Sequence, residues 1–181
     1  LVDGTPLGGE EMREYLGEVA DRLGDDGPKH VLIVVGGALL AMHALRDTTR
    51  DVDSISPLDE ELREVIADVG ERHDLRVDWL NDRARGFTPA TFRIDECAVL
   101  FERRRLTLLG APLKQVFVMK LYRNDPQDFE DMVRIWTLCR FTSPQAAVDA
   151  FYEAYPHAPA DEHLIALVRQ IATAGNRADS D

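Results

Sequence analysis

Asp51 and Asp53 stand one residue apart in the stretch "RDTTRDVDSIS". Aspartate is depleted from strands, because its charge resists burial and its side chain favours turns. In extended backbone, residues two apart project from one face, which would set these carboxylates side by side. Two such charges repel unless a cation lies between them. Magnesium suits that place, being a hard ion held by one or two carboxylates together with substrate phosphates. Upstream, "HVLIVVGG" ends in Gly36 and Gly37, whose exposed backbone N–H groups in a turn suit a phosphate.

Further along, Lys120 lies among Val116, Phe117, Met119 and Leu121, so its ammonium must reach water or meet an anion such as a triphosphate. Asp128 and Asp131 follow Pro126, where a helix start also favours carboxylates. Arg83, Arg85, Arg103, Arg104 and Arg105 form a basic segment that suits an RNA backbone, or equally a solvated strand edge. Trp79 reads as core, Asn81 and Asp82 as turn formers, and His43 as a satisfied core histidine outside the site.

The elements that would position these residues follow from apolar periodicity. Met12, Tyr15, Leu16, Val19 and Leu23 predict a helix over about residues 9–23, broken by "GDDGPKH". "HVLIVV" reads as a buried strand, "ALLAMHAL" as a helix, and "TTRDVDSIS" as a second strand ended by Pro57. "LDEELREVIADVGERHD" reads as an amphipathic helix, "LRVDWLN" as a third strand, and "TFRIDECAVLFE" with "RRLTLLGAP" as two more. From Leu113 four helical segments follow, separated by Pro or Ser-Pro. The expected class is α+β, with a core over 1–112, a helical region over 113–175 that completes the site, and a flexible tail over 176–181.

The chain carries 21 Lys plus Arg against 33 Asp plus Glu, a net charge of -12, which opposes indiscriminate polyanion binding. That charge is uneven. Residues 83–123 hold nine basic against three acidic side chains, whereas residues 1–27 hold two against eight, so a polyanion could still find one face. Cys97 and Cys139 are far apart in apolar settings and read as reduced core thiols. No leader pattern or membrane span is evident, which predicts a cytoplasmic protein.

A strand, a glycine turn, one helix and a strand bearing Asp-x-Asp resembles the DNA polymerase β-like nucleotidyltransferase fold. More finely, "VGGALLAMHALRDTTRDVD", "DWLNDRARGF" and "VMKLYRNDPQDFEDM" resemble the DUF6036 and AbiEii-like nucleotidyltransferases, which include the MenT toxins of toxin–antitoxin pairs. The glycine turn departs from the fold's common Gly-Ser, reading Gly-Gly-Ala. The resemblance implies a phosphate turn at Gly36 and Gly37, magnesium on Asp51 and Asp53, an active-site lysine at Lys120, and a late acidic motif at Asp128 or Asp131. It also implies a regulatory phosphorylation position at Thr49, and makes Asp78 a rival third carboxylate. The implied reaction moves a nucleoside monophosphate from an NTP to the 3′ end of tRNA, blocking aminoacylation and translation, with a cognate antitoxin as partner. The same chemistry on a protein or small molecule, or a silent scaffold that only binds, are the alternatives.

Overall fold

The computed structural model describes residues 5–179. It is α+β, with seven α-helices and one mixed five-stranded sheet among those residues. The chain forms two compact units: one runs to Gly86 and includes Asp95–Ala111, and the other joins Phe87–Ile94 to the chain from Pro112 onward.

The first unit contains α1 (Gly9–Leu23), β1 (His30–Val35), α2 (Gly36–Met42), β2 (Val52–Ser54), α3 (Glu60–Arg72), β3 (Leu80–Asn81), β4 (Ala98–Arg103) and β5 (Leu106–Gly110). The sheet order is β3-β2-β1-β5-β4. Strand β1 is central, antiparallel to β2 and parallel to β5, while β2 and β3 run parallel and β4 and β5 antiparallel. A central strand covered on both faces must be apolar nearly throughout, and β1 is buried everywhere except Val31. Helix α1 turns Met12, Leu16, Val19 and Leu23 inward, and Glu11 closes its start by accepting the Gly8 N–H at 2.8 Å. Asp59 caps α3 by accepting the Leu62 N–H at 2.9 Å. Trp79 is fully buried, as expected, and its indole N–H donates to the Ile66 carbonyl at 3.0 Å.

Several strands are shorter than their sequence pattern predicts. In "TTRDVDSIS" only Val52–Ser54 is strand, because Thr49 is bridged to Leu7 by two backbone hydrogen bonds that draw the chain away before Asp51. In "LRVDWLN" only Leu80 and Asn81 are strand. Asp78 therefore lies in a turn and not on the third strand, held there by the Arg76 guanidinium at 3.0 and 3.2 Å. A 3-10 turn over Ile94–Glu96 delays β4 to Ala98. Helix α2 ends at Met42 and Ala44 takes φ 56°, which leaves His43 exposed instead of in the core. Cys139 is buried, but Cys97 is only half-buried.

The second unit contains α4 (Leu113–Arg123), α5 (Asp128–Cys139), α6 (Pro144–Ala154) and α7 (Leu164–Ala178). Asn124 and Arg140, both at φ 51°, end α4 and α5 in the left-handed conformation that stops a helix. Ser143 accepts the Ala146 N–H at 3.1 Å and Pro144 opens α6, a start legible from "SPQ". Phe117, Ile135, Trp136, Val168 and Ile171 build its core. Phe87–Ile94, within the span expected to be core, goes with these helices: the Tyr155 hydroxyl donates to Phe87 O at 2.6 Å and the Ala90 N–H to Ala154 O at 2.8 Å. Of the tail expected from 176, residues 176–178 belong to α7, and Ser180 and Asp181 lie outside the described residues.

Candidate functional site

In the first unit burial alternates along residues 51–54. Val52 and Ser54 are fully buried, while Asp51 and Asp53 are half-buried, so the two carboxylates share the face turned from the core. Asp53 pairs in register with Val35, the last residue of β1, which brings its side chain to the glycine turn. Gly36 has φ +66°, and a Cβ built on it would stand 3.6 Å from Asp53 Oδ2. A Cβ on Gly37 would stand 2.9 Å from Thr49 Oγ1 and 3.1 Å from Arg46 Nη1. Gly36 thus supplies a backbone conformation that side chains disfavour, and Gly37 leaves room for two neighbours. Helix α2 has only seven residues, so backbone amides of the turn, and not a long helix dipole, are what it offers an anion.

Thr49 is buried at 8% exposure, its hydroxyl donating to Asp51 O at 3.2 Å. Arg46, which also donates to Thr48 O at 2.8 Å, is a site residue that sequence reasoning missed. Its one sequence signal was that it opens the stretch carrying both aspartates.

Arg83 is placed on the carboxylates. Its guanidinium donates to Asp51 Oδ2 at 3.2 Å and Asn81 Oδ1 at 3.0 Å, and lies 3.4 Å from Asp78 Oδ2. Asp78 thereby joins the Asp51 cluster from its turn. Arg85 is exposed beside it on the 3-10 turn Arg83–Phe87. Asp51 and Asp53 offer carboxylate oxygens of the kind magnesium takes, and because Arg83 already bonds Asp51 Oδ2 at 3.2 Å, an ion there would have to displace that guanidinium.

The remaining arginines of the basic segment are committed elsewhere. Arg103 grips Asp21 with two hydrogen bonds of 2.8 and 2.6 Å, and Arg104 bonds Asp21 at 3.1 Å and Asp25 at 2.7 Å. The Arg104 hydrogen bond and the Arg103 charge hold the Asp21 carboxyl below its ordinary range. Arg105 is buried at 4% exposure, donating to Leu23 O at 2.7 Å and Pro28 O at 3.0 Å and pairing with Glu61. As an RNA contact Arg105 is thus corrected: a buried guanidinium on two carbonyls and a carboxylate is a brace within the fold.

In the second unit, Lys120 Nζ lies 2.6 Å from Asp128 Oδ1 and 2.9 Å from Asp131 Oδ2, all three residues being at most 4% exposed. Asp128 and Asp131 stand three apart in the first turn of α5, so both face one side and favour the helix start. Arg123 bonds Asp128 at 2.8 and 2.6 Å, and Arg134 lies 3.6 Å from Asp131. The choice between water and an anion for Lys120 is thus resolved: its ammonium meets two carboxylates.

No helix among the described residues is long and apolar enough to cross a membrane. No curated protein and no solved structure matches the chain. A family model described as "Nucleotidyltransferase of unknown function (DUF6036)" matches residues 12–139, a span that carries the glycine turn, both aspartates and the Lys120 centre. With well over half its length in that match, the chain belongs to the DUF6036 nucleotidyltransferase family.

Proposed function

We propose that this protein transfers a nucleoside monophosphate from an NTP to an RNA hydroxyl, that of the tRNA 3′ end, and so acts as a toxin of translation restrained by an antitoxin. The observation that carries the transfer chemistry is the packing of the Gly36–Gly37 turn against Asp53, with Asp51 beside it. Asp51 and Asp53 would hold magnesium, which supplies the charge that neutralises phosphate oxygens. The turn's N–H groups hold the phosphate chain, and Arg46 adds a cation beside Gly37. The acceptor oxygen bonds to the α-phosphorus, the bond from that phosphorus to the β-phosphate's bridging oxygen breaks, pyrophosphate leaves, and the hydroxyl proton passes to water. Most of the rate comes from positioning and charge neutralisation.

Lys120, Asp128 and Asp131, the lysine and late acidic motif that the resemblance implies, form the charged centre of the helical unit. Each is buried on the others, so direct phosphate contact by Lys120 requires that pairing to open. A phosphate on Thr49 would enter the space between Gly37 and Arg46 and compete with the substrate's own phosphates.

The RNA acceptor rests on the resemblance and on the basic balance of residues 83–123, with Arg83 and Arg85 as contacts. A second reading, a protein or small-molecule acceptor, is favoured by the acidic partners that hold Arg103 and Arg104 and by the burial of Arg105. The test is to incubate the protein with magnesium, each labelled NTP and total tRNA, and to resolve RNA from protein. Label in tRNA, lost in Asp51→Asn, is the expected result. Label only in protein transfers the reading to protein modification, and no label in either points to a small-molecule acceptor or a silent scaffold.

A further inference from the structure

At the other end of β1 from the glycine turn, His30 lies at 5% exposure, about 17 Å of strand away at the usual rise per residue. Its Nδ1 stands 3.0 Å from Asp59 Oδ2 and its Nε2 3.3 Å from Glu61 Oε2. Despite that short distance Nε2 has no hydrogen-bond partner among the described residues, so a proton on it would not point along the line to the carboxylate. A buried imidazole nitrogen left in this way costs stability unless something else fills the angle.

We infer that His30 and Glu61, with Asp59 behind the imidazole, form a site for a divalent transition metal of the zinc type. Three features carry this. With metal–ligand bonds of about 2.0–2.2 Å meeting at a tetrahedral angle, two ligand atoms stand about 3.3–3.6 Å apart, a range that includes the 3.3 Å separation of His30 Nε2 and Glu61 Oε2. Asp59 is placed to accept a hydrogen bond from Nδ1–H, the tautomer that presents the Nε2 lone pair, as carboxylates behind metal-bound histidines do. Glu61 and Asp59 are about half-exposed, so an ion reaches the buried nitrogen from solvent and completes its shell with water.

Arg105 does not block the site. Its guanidinium holds both Glu61 oxygens, with Nη1 on Oε2 at 3.2 Å, so metal binding exchanges that Nη1 contact while Arg105 keeps Oε1 and stays anchored on Leu23 O and Pro28 O. Asp26, Asp59 and Glu61 all act on that one guanidinium, which leaves two negative charges that a divalent ion neutralises. The imidazole selects zinc-like ions over magnesium, and the position ties β1, α3 and the β4–β5 turn together. It is a site separate from Asp51 and Asp53.

The test uses the chelator-treated chain in excess magnesium, titrated with zinc by calorimetry and with cobalt(II) by visible absorption. Wild type and Asp51→Asn should each bind one equivalent, and zinc should raise the melting temperature of both. Asp59→Asn keeps a good helix cap and should bind about 10–100-fold more weakly, while His30→Gln and Glu61→Gln should lose the site. Absence of binding in wild type, or binding and zinc stabilisation that survive both Asp59→Asn and His30→Gln, would overturn the site.

Discussion

At the scale of single residues, the chain's charges are spent mostly on one another. Lys120 is the clearest case, with its ammonium on Asp128 and Asp131 at 2.6 and 2.9 Å in a nearly dry setting. A buried ion pair adds little over an apolar replacement of the whole, but removing one partner leaves uncompensated charge. Lys120→Met should therefore cost about 3–5 kcal/mol of stability in urea unfolding, besides any effect on catalysis. Lys120→Met combined with Asp131→Leu should recover at least about 1 kcal/mol of that loss. A single-variant cost under about 1 kcal/mol would show that this centre behaves as a solvated ion pair and overturn the buried-pair reading.

At the scale of elements, the β1–α2 turn is the one connection whose backbone chemistry the proposed function requires. Gly37→Ala would force its Cβ to 2.9 Å from Thr49 Oγ1 and 3.1 Å from Arg46 Nη1, a contact that must push both away. Overpacking of this kind costs about 1–3 kcal/mol, and here it also displaces the groups beside the phosphate turn. NTP binding, read by calorimetry, should fall at least about tenfold while the circular dichroism spectrum stays native. Undiminished affinity would remove the turn from the substrate site. This turn was legible in the sequence because its determinants are local: a run of Val and Ile, then two glycines. Helix α1 was legible for the same reason, its apolar spacing and first-turn acids agreeing. The strands around Asp51 and Asp78 were not, since a backbone bridge from Leu7 to Thr49 and an Arg76 fork on Asp78 decide where pairing begins. Likewise Asp51 and Asp53 could be picked out from spacing alone, but the pairing of Arg83 with Asp51 and of Arg103 with Asp21 depends on residues 32 and 82 positions away. Residue type marked these arginines as basic without saying which acids they would meet.

At the scale of the whole molecule, two opposing effects set the response to acid. A net charge of -12 repels itself at neutral pH, and partial protonation relieves that strain. Against it stand carboxyls that the fold holds below their ordinary range: Glu18 through its bond to His73, Asp21 through Arg104, and Glu61 through Arg105. Asp82 joins them, since bonds from the Leu58 N–H and Arg63 outweigh its burial. Each titrates lower in the folded chain than in the unfolded one. The stability they contribute is therefore complete above the ordinary carboxylate values of about 3.9–4.3 and is lost as the pH falls through their folded values. Melting temperature should hold or rise from neutrality down to about pH 5, then drop steeply below about pH 4. All four carboxyls belong to the unit that carries the sheet, so Asp21→Asn, which removes the partner shared by Arg103 and Arg104, should shrink that acid-side drop. A decline that begins instead well above pH 5 would leave these carboxyls without the role argued for them.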